Sequence, residues 1–219
     1  ATADVNFPAS IQDIVSARFD RIPEPARRTL QVGAVVGRHF SVSLLSRTVE
    51  APEDVPAHLE MLKRAELVHE TQFFPEPEYA FKHAIFQDVV YQSLLAPRRK
   101  QLHRLIGEAL EEMTPPTLSE HGSALAYHFA RGDVAGKAVK YLIEAGDRAA
   151  AAFSNREALA LYREAFELHH GGDRAIEATL LHKLGTASIF LGDAAASLRY
   201  VEGALEVYQA LGDKRNALR

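Results

Sequence analysis

Apolar residues recur at helical spacing along most of the chain. In ASIQDIVSARFDRI, residues 9–22, Ile11, Ile14, Val15 and Phe19 fall at i, i+3, i+4 and i+8, which places them on one helical face. Ile22-Pro23-Glu24-Pro25 interrupts that face. Pro25 can open the next helix, PARRTLQVGAVVG, and Gly37 can stop it. SVSLLSRTV reads as a short helix capped by Ser41, and the helix in APEDVPAHLEMLKRAEL has Val55, Leu59, Leu62 and Leu67 in step. The period then changes. LVHETQFFPEPEYAF predicts two strands, around Leu67–Glu70 and Glu78–Phe81, with Pro75 and Pro77 confined to the turn between them. Residues 81–113 return to helix, as two segments with Pro97 at the joint.

Short helices followed by a β-hairpin are the order of a winged-helix domain, the hairpin being the wing. Thr114-Pro115-Pro116 is a boundary signal, and the pattern beyond it is all helix. That region repeats. An offset of 39 carries Ala145-Gly146 to Leu184-Gly185, Ala158 to Ser197, Tyr162 to Val201, Ala165 to Ala204 and Leu168 to Val207. Small residues at these places are where a tetratricopeptide repeat packs its two helices closely. The usual period is about 34 residues, so the surplus falls in the loop around HHGGDR. LAYHFARGDVAGKAVKYLIEA, residues 125–145, is an earlier and degenerate copy in which Ala145 serves two repeats at once. The expected fold is mainly α: a winged helix with a small β-hairpin wing and a joint helix over residues 1–113, then antiparallel helical hairpins of tetratricopeptide-like type over 114–219.

Composition narrows the function more than it names one. The net charge of -4 carries no general nucleic-acid signature. With no cysteine there is neither a disulfide framework nor a thiolate metal site, which fits a reducing, cytoplasmic setting. No apolar run approaches the ~20 residues of a membrane span, so no membrane partner is expected. The N-terminus ATADVNFPAS has no signal-peptide pattern and no starting Met, and the chain reads as a piece of a larger protein.

Candidate chemistry is sparse. GAVVGRHF, residues 33–40, has the wrong glycine spacing for a phosphate-binding loop, and Arg38-His39 replaces its Lys-Ser. His121 and His128 are seven apart, too far for chelation across one turn, and His169-His170 sits at a helix end. No serine lies in a nucleophile elbow, and Glu111-Glu112 point apart on their helix. The third helix of a winged helix is the usual reader of DNA. Here it carries Glu53, Asp54, Glu60 and Glu66 against Lys63 and Arg64, so DNA is not an expected partner. The helix after Pro97 has reversed polarity: Arg98, Arg99 and Lys100 open it and Glu108, Glu111 and Glu112 end it. The helix dipole favours the opposite order by roughly 0.3–1 kcal/mol per charge. Those three bases are therefore a candidate interface, facing an acidic neighbour such as Glu76 and Glu78 of the wing or another domain.

Phe81, His83, Asp88, Tyr91, Leu95, Arg98, Leu102 and His103 together resemble the end of the winged-helix region in bacterial signal-transduction ATPases with numerous domains. These are AAA-type modules fused to class III adenylate or guanylate cyclases, to LuxR-type regulators or to Ser/Thr kinases. VNFPASIQDIVSARFDRIPEPARRTLQVGAVVGRHF resembles the segment just after their ATPase core, and residues 125–166 resemble the start of their repeat region. The cyclase-linked group is the nearest in pattern. The resemblance implies a non-catalytic regulatory arm with no cofactor of its own, in a parent that binds ATP or ADP with Mg. It implies protein partners: the upstream ATPase core for the winged helix and another protein on the repeats. It also implies that His83 touches a nucleotide phosphate in the parent. The alternative is a DNA-binding transcription regulator with the repeats as sensor.

Overall fold

The structure, a computed structural model, describes residues 16–113 and 122–217. It is mainly helical, with eleven α-helices and one three-stranded antiparallel sheet among the described residues. The chain divides into two compact units, Ala1–Met113 and Thr114–Arg219. Residues Thr114, Pro115 and Pro116, read above as a boundary, lie outside the described residues.

In the first unit residues 16–20 are helical and Phe19 is buried; Ile11, Ile14 and Val15 of the expected first helix lie outside the described residues. Helix α1 spans Glu24–Val36, with Pro23 at its N-cap and Pro25 in its first turn, where a missing N–H leaves no bond unmade. Gly37 ends it at φ +145°, donating its N–H to the Gly33 carbonyl at 3.0 Å. Strand β1, His39–Ser41, follows, and then helix α2, Val42–Thr48. The Ser41 hydroxyl accepts from the Leu44 N–H at 3.2 Å, the cap expected from sequence, while the Glu76 carboxylate accepts from the Ser43 N–H at 2.9 Å. A 3-10 turn, Pro52–Asp54, leads into α3, Val55–Arg64.

The hairpin strands are β2, Val68–Gln72, and β3, Glu78–Phe81, in register Val68↔Phe81 and Glu70↔Tyr79, with an irregularity between Glu70 and Gln72. The sheet order is β1-β3-β2, so β1 pairs with the far edge of β3. Three residues are too few to show a period, so β1 adds a third strand to the two expected from sequence. What places β1 is Phe40, buried edge-on against Phe81 with ring centroids 5.6 Å apart. Helices α4, Ala84–Gln92, and α5, Ala96–Met113, complete the unit, with Pro97 in the first turn of α5. Leu30, Leu45, Leu59, Leu62, Phe81 and Ile106 form the centre of its core. Each such side chain contributes about 1.5–3 kcal/mol by burial.

The second unit is a run of helices: α6 Gly122–Arg131, α7 Ala135–Ala151, α8 Asn155–His169, α9 Arg174–Phe190, α10 Ala194–Leu211 and the short α11 Lys214–Ala217. Each packs on the next through a turn of a few residues, which makes them antiparallel hairpins. The α7 helix is continuous and packs on both α6 and α8. At four of the turns the same device recurs. Asp133, Phe153, Gly192 and Gly212 adopt left-handed φ of +61°, +59°, +80° and +70°. The next residue then donates its N–H five positions back: Val134 to Phe129, Ser154 to Ala149, Asp193 to Ser188 and Asp213 to Tyr208, at 2.8–3.0 Å.

Candidate functional site

Helices α7, α8 and α9 line a groove of about 380 Å³ in the second unit. Asp147 projects from α7, Asn155 and Tyr162 from α8, and His182, Lys183, Thr186 and Phe190 from α9. Tyr162 is buried and donates its hydroxyl to Asp147 Oδ1 at 2.7 Å. Lys183 Nζ pairs with the same oxygen and lies 5.6 Å from the Tyr162 ring centroid. Burial first, then the Asp147 hydrogen bond and charge, hold the Tyr162 hydroxyl well above its ordinary pKa. The floor is thus a phenol, a carboxylate and an ammonium satisfying one another. It ties α7 to α9 across α8 and leaves the rim to make contacts.

The rim is aromatic. Phe153 is 87 % exposed and Phe190 69 %. Phe153 is also the unusual member of the turn series. The offset of 39 carries it to Gly192, so one copy holds a phenylalanine where the other holds the residue that φ > 0 favours. A left-handed conformation costs a residue with a Cβ roughly 1–2 kcal/mol. Burial offers little return, because the ring is in water. Strain at an exposed aromatic beside a groove motivates a binding role. Sequence reasoning missed Phe153; the signal was there in the repeat alignment, as a Phe opposite a Gly.

The three bases expected at an interface open α5 as read. Arg98 donates to Gln101 at 2.8 Å, Arg99 lies 5.2 Å over the Tyr91 ring, and Lys100 is exposed. Arg98 lines a cavity of about 380 Å³ together with Glu24, Glu50, Asp54, Arg28 and His58. The acids of that cavity are paired with other bases: Glu24 with Arg27 and Arg28, and Glu50 with Arg28. Of the two hairpin acids expected to face these bases, Glu76 accepts instead from the Ser43 N–H at the start of α2. In the same cavity His58 Nδ1 stands 2.8 Å from the buried Thr29 hydroxyl, which also donates toward the Pro25 carbonyl.

The residues carrying the family resemblance are partly gathered. Tyr91 Oη lies 3.1 Å from Nε2 of the buried His103, with Arg99 over the Tyr91 ring. His83 stands apart from that group. It precedes α4 as an exposed residue, makes no side-chain cap, and stacks on Phe86 at 5.8 Å; Arg18 approaches the same ring at 5.7 Å. The glycine pair Gly33–Gly37 forms no phosphate cradle. Gly33 sits inside α1, where an added Cβ would stand 3.2 Å from the Phe40 ring.

Among the described residues no group of three His, Asp or Glu side chains is placed to hold a metal ion, and no helix is long and apolar enough to cross a membrane. His121, half of the histidine pair weighed above, lies outside the described residues. No family model matches the chain, and no curated protein matches it significantly.

Proposed function

We propose that the chain is a regulatory, protein-binding arm of a multidomain signalling ATPase of the cyclase-linked kind that it resembles. In this reading the first unit is a winged helix that packs on the nucleotide-binding core of the parent, and the second is a tetratricopeptide-like array that receives a protein partner. The nucleotide and its Mg belong to the parent's core, and the setting is the cytoplasm. The observation that carries the reading is Phe153. A strained, exposed phenylalanine at the lip of a groove with a pre-formed polar floor is better suited to engaging a partner than to stabilising the fold. The element order of the first unit, helices then a hairpin whose β3 is shared with β1, supports the winged-helix assignment. The helix that would read DNA argues against the alternative, because Lys63 is held by Glu70 at 3.2 Å and Glu60 at 3.4 Å rather than left for phosphates.

Two steps test the proposal. The sequence encoded upstream should contain a phosphate-binding loop, and without one the parent is not an ATPase. In that parent, Phe153→Gly should leave basal nucleotide turnover unchanged and remove its modulation by the partner. Full modulation by the variant would sink the reading.

A further inference from the structure

The cavity that Arg98 lines lies wholly within the first unit, among α1, the 3-10 turn, α3 and the start of α5. Its volume of about 380 Å³ falls in the range of about 300–1,000 Å³ usual for small-molecule sites. One wall is apolar, made by Pro25, Val32, Val49 and Ala51. The polar lining falls into two sets. In the first, the groups satisfy one another: Glu24 and Glu50 pair with Arg28, and the buried Thr29 hydroxyl meets His58 Nδ1. In the second, they do not. Asp54 stands at the N-cap of α3 yet makes no cap bond, and it has no ion-pair partner among the described residues. Arg98 donates to the neutral Gln101 side chain and likewise has no carboxylate partner.

Two unpartnered charges of opposite sign thus face one cavity beside an apolar wall. We propose that this cavity binds a free α-amino acid with an aliphatic side chain. Its carboxylate takes the Arg98 guanidinium, whose planar fork of donors matches a carboxylate. Its ammonium takes the Asp54 carboxylate, and its side chain lies on Val32 and Val49. A ligand of single charge fits less well. An organic cation leaves Arg98 unpaired beside it, and an organic anion meets Glu24, Glu50 and Asp54.

Titration of the isotope-labelled full 219-residue chain with L-leucine, followed by two-dimensional NMR, tests this. Saturable amide shifts are expected around Val32, Ala51 and Arg98, with a Kd of roughly 10⁻⁴–10⁻³ M for so small a ligand. Leucinamide lacks the carboxylate and N-acetyl-L-leucine lacks the ammonium. Each should bind about tenfold more weakly, since each loses one charge-assisted contact. Arg98→Gln and Asp54→Asn change exposed side chains, so helical circular dichroism should be unchanged. Each variant should weaken L-leucine about tenfold. Arg98→Gln should leave leucinamide binding as it was, and Asp54→Asn that of N-acetyl-L-leucine. Absence of saturable shifts up to about 10 mM L-leucine, well above the expected range, overturns the proposal. So does binding of either blocked analogue as tight as that of L-leucine, or L-leucine binding indifferent to both variants. None of these outcomes touches the groove at Phe153.

Discussion

Gly146 lies so close to Tyr162 that a Cβ added to it would stand 2.4 Å from the tyrosine ring. One repeat further on, Gly185 stands in the same relation to Val201, at 2.7 Å. The pair relation is repeated even though the larger partner changes from aromatic to aliphatic. Gly146→Ala therefore sets two effects against each other. Alanine gains up to about 1 kcal/mol of helix propensity, and overpacking against a buried ring costs about 1–3 kcal/mol. The clash should win. Gly136→Ala in the same helix meets nothing within 4 Å and should be neutral or slightly stabilising. Urea unfolding of both variants is the check. Stabilisation by Gly146→Ala would mean that the close approach is not real.

Phe153→Gly should stabilise the second unit by about 1 kcal/mol, since the left-handed turn then carries no Cβ. Asp133, in the equivalent turn, is the comparison: Asp tolerates this conformation better, so Asp133→Gly should gain less. A lower melting temperature for Phe153→Gly would show that the ring contributes contacts worth more than the strain.

The burial of Tyr162, with its Asp147 hydrogen bond, predicts an alkaline loss of stability. A tyrosine whose folded pKa is raised binds its proton more tightly folded than unfolded. Its contribution is complete below the unfolded value of about 10 and is lost as pH rises above it. Wild-type stability should therefore fall more steeply above about pH 10 than that of Tyr162→Phe, which has no phenol to ionise. Chemical denaturation at stepped pH checks the difference in slope. Parallel curves would mean that neither burial nor Asp147 raises the pKa of the hydroxyl.

Arg98→Glu discriminates the helix dipole from the cavity. The dipole alone predicts a gain of roughly 0.3–1 kcal/mol. The cavity predicts a loss, because the new carboxylate joins Glu24, Glu50 and Asp54. Three carboxylates line the cavity against one base, Arg28, so a net loss of up to about 1 kcal/mol is expected, shrinking in high salt. A gain in stability would show that the helix dipole outweighs the cavity charges at this turn.

Lys63 is held protonated by hydrogen bonds to Glu70 and then Glu60, which raise its pKa. The helix therefore offers phosphates little free positive charge. Electrophoretic shifts at moderate salt should show weak, sequence-indifferent DNA binding. A specific site bound at about 10⁻⁸ M or tighter would make the transcription-regulator alternative correct.

Local signals were legible in the sequence because helix periodicity, caps and tight turns depend on residues a few positions apart. The Ser41 cap, the Gly37 stop, the hairpin strands and the joint at Pro97 all follow from such spacing. The offset of 39 was equally legible, since a repeat is a sequence property, and it located Gly146 and Gly185 before their contacts were seen. Tertiary structure decided what depends on which faces meet. Strand β1 exists because Phe40 finds Phe81, 41 positions away in the chain. Asp147 and Lys183 meet because α7 and α9 line one groove, and no local pattern encodes that. Glu76 turns toward the start of α2 because packing brings the hairpin turn to that helix end. Charge partners are chosen by proximity in space, and a chain read in one dimension carries the charges without the distances between them.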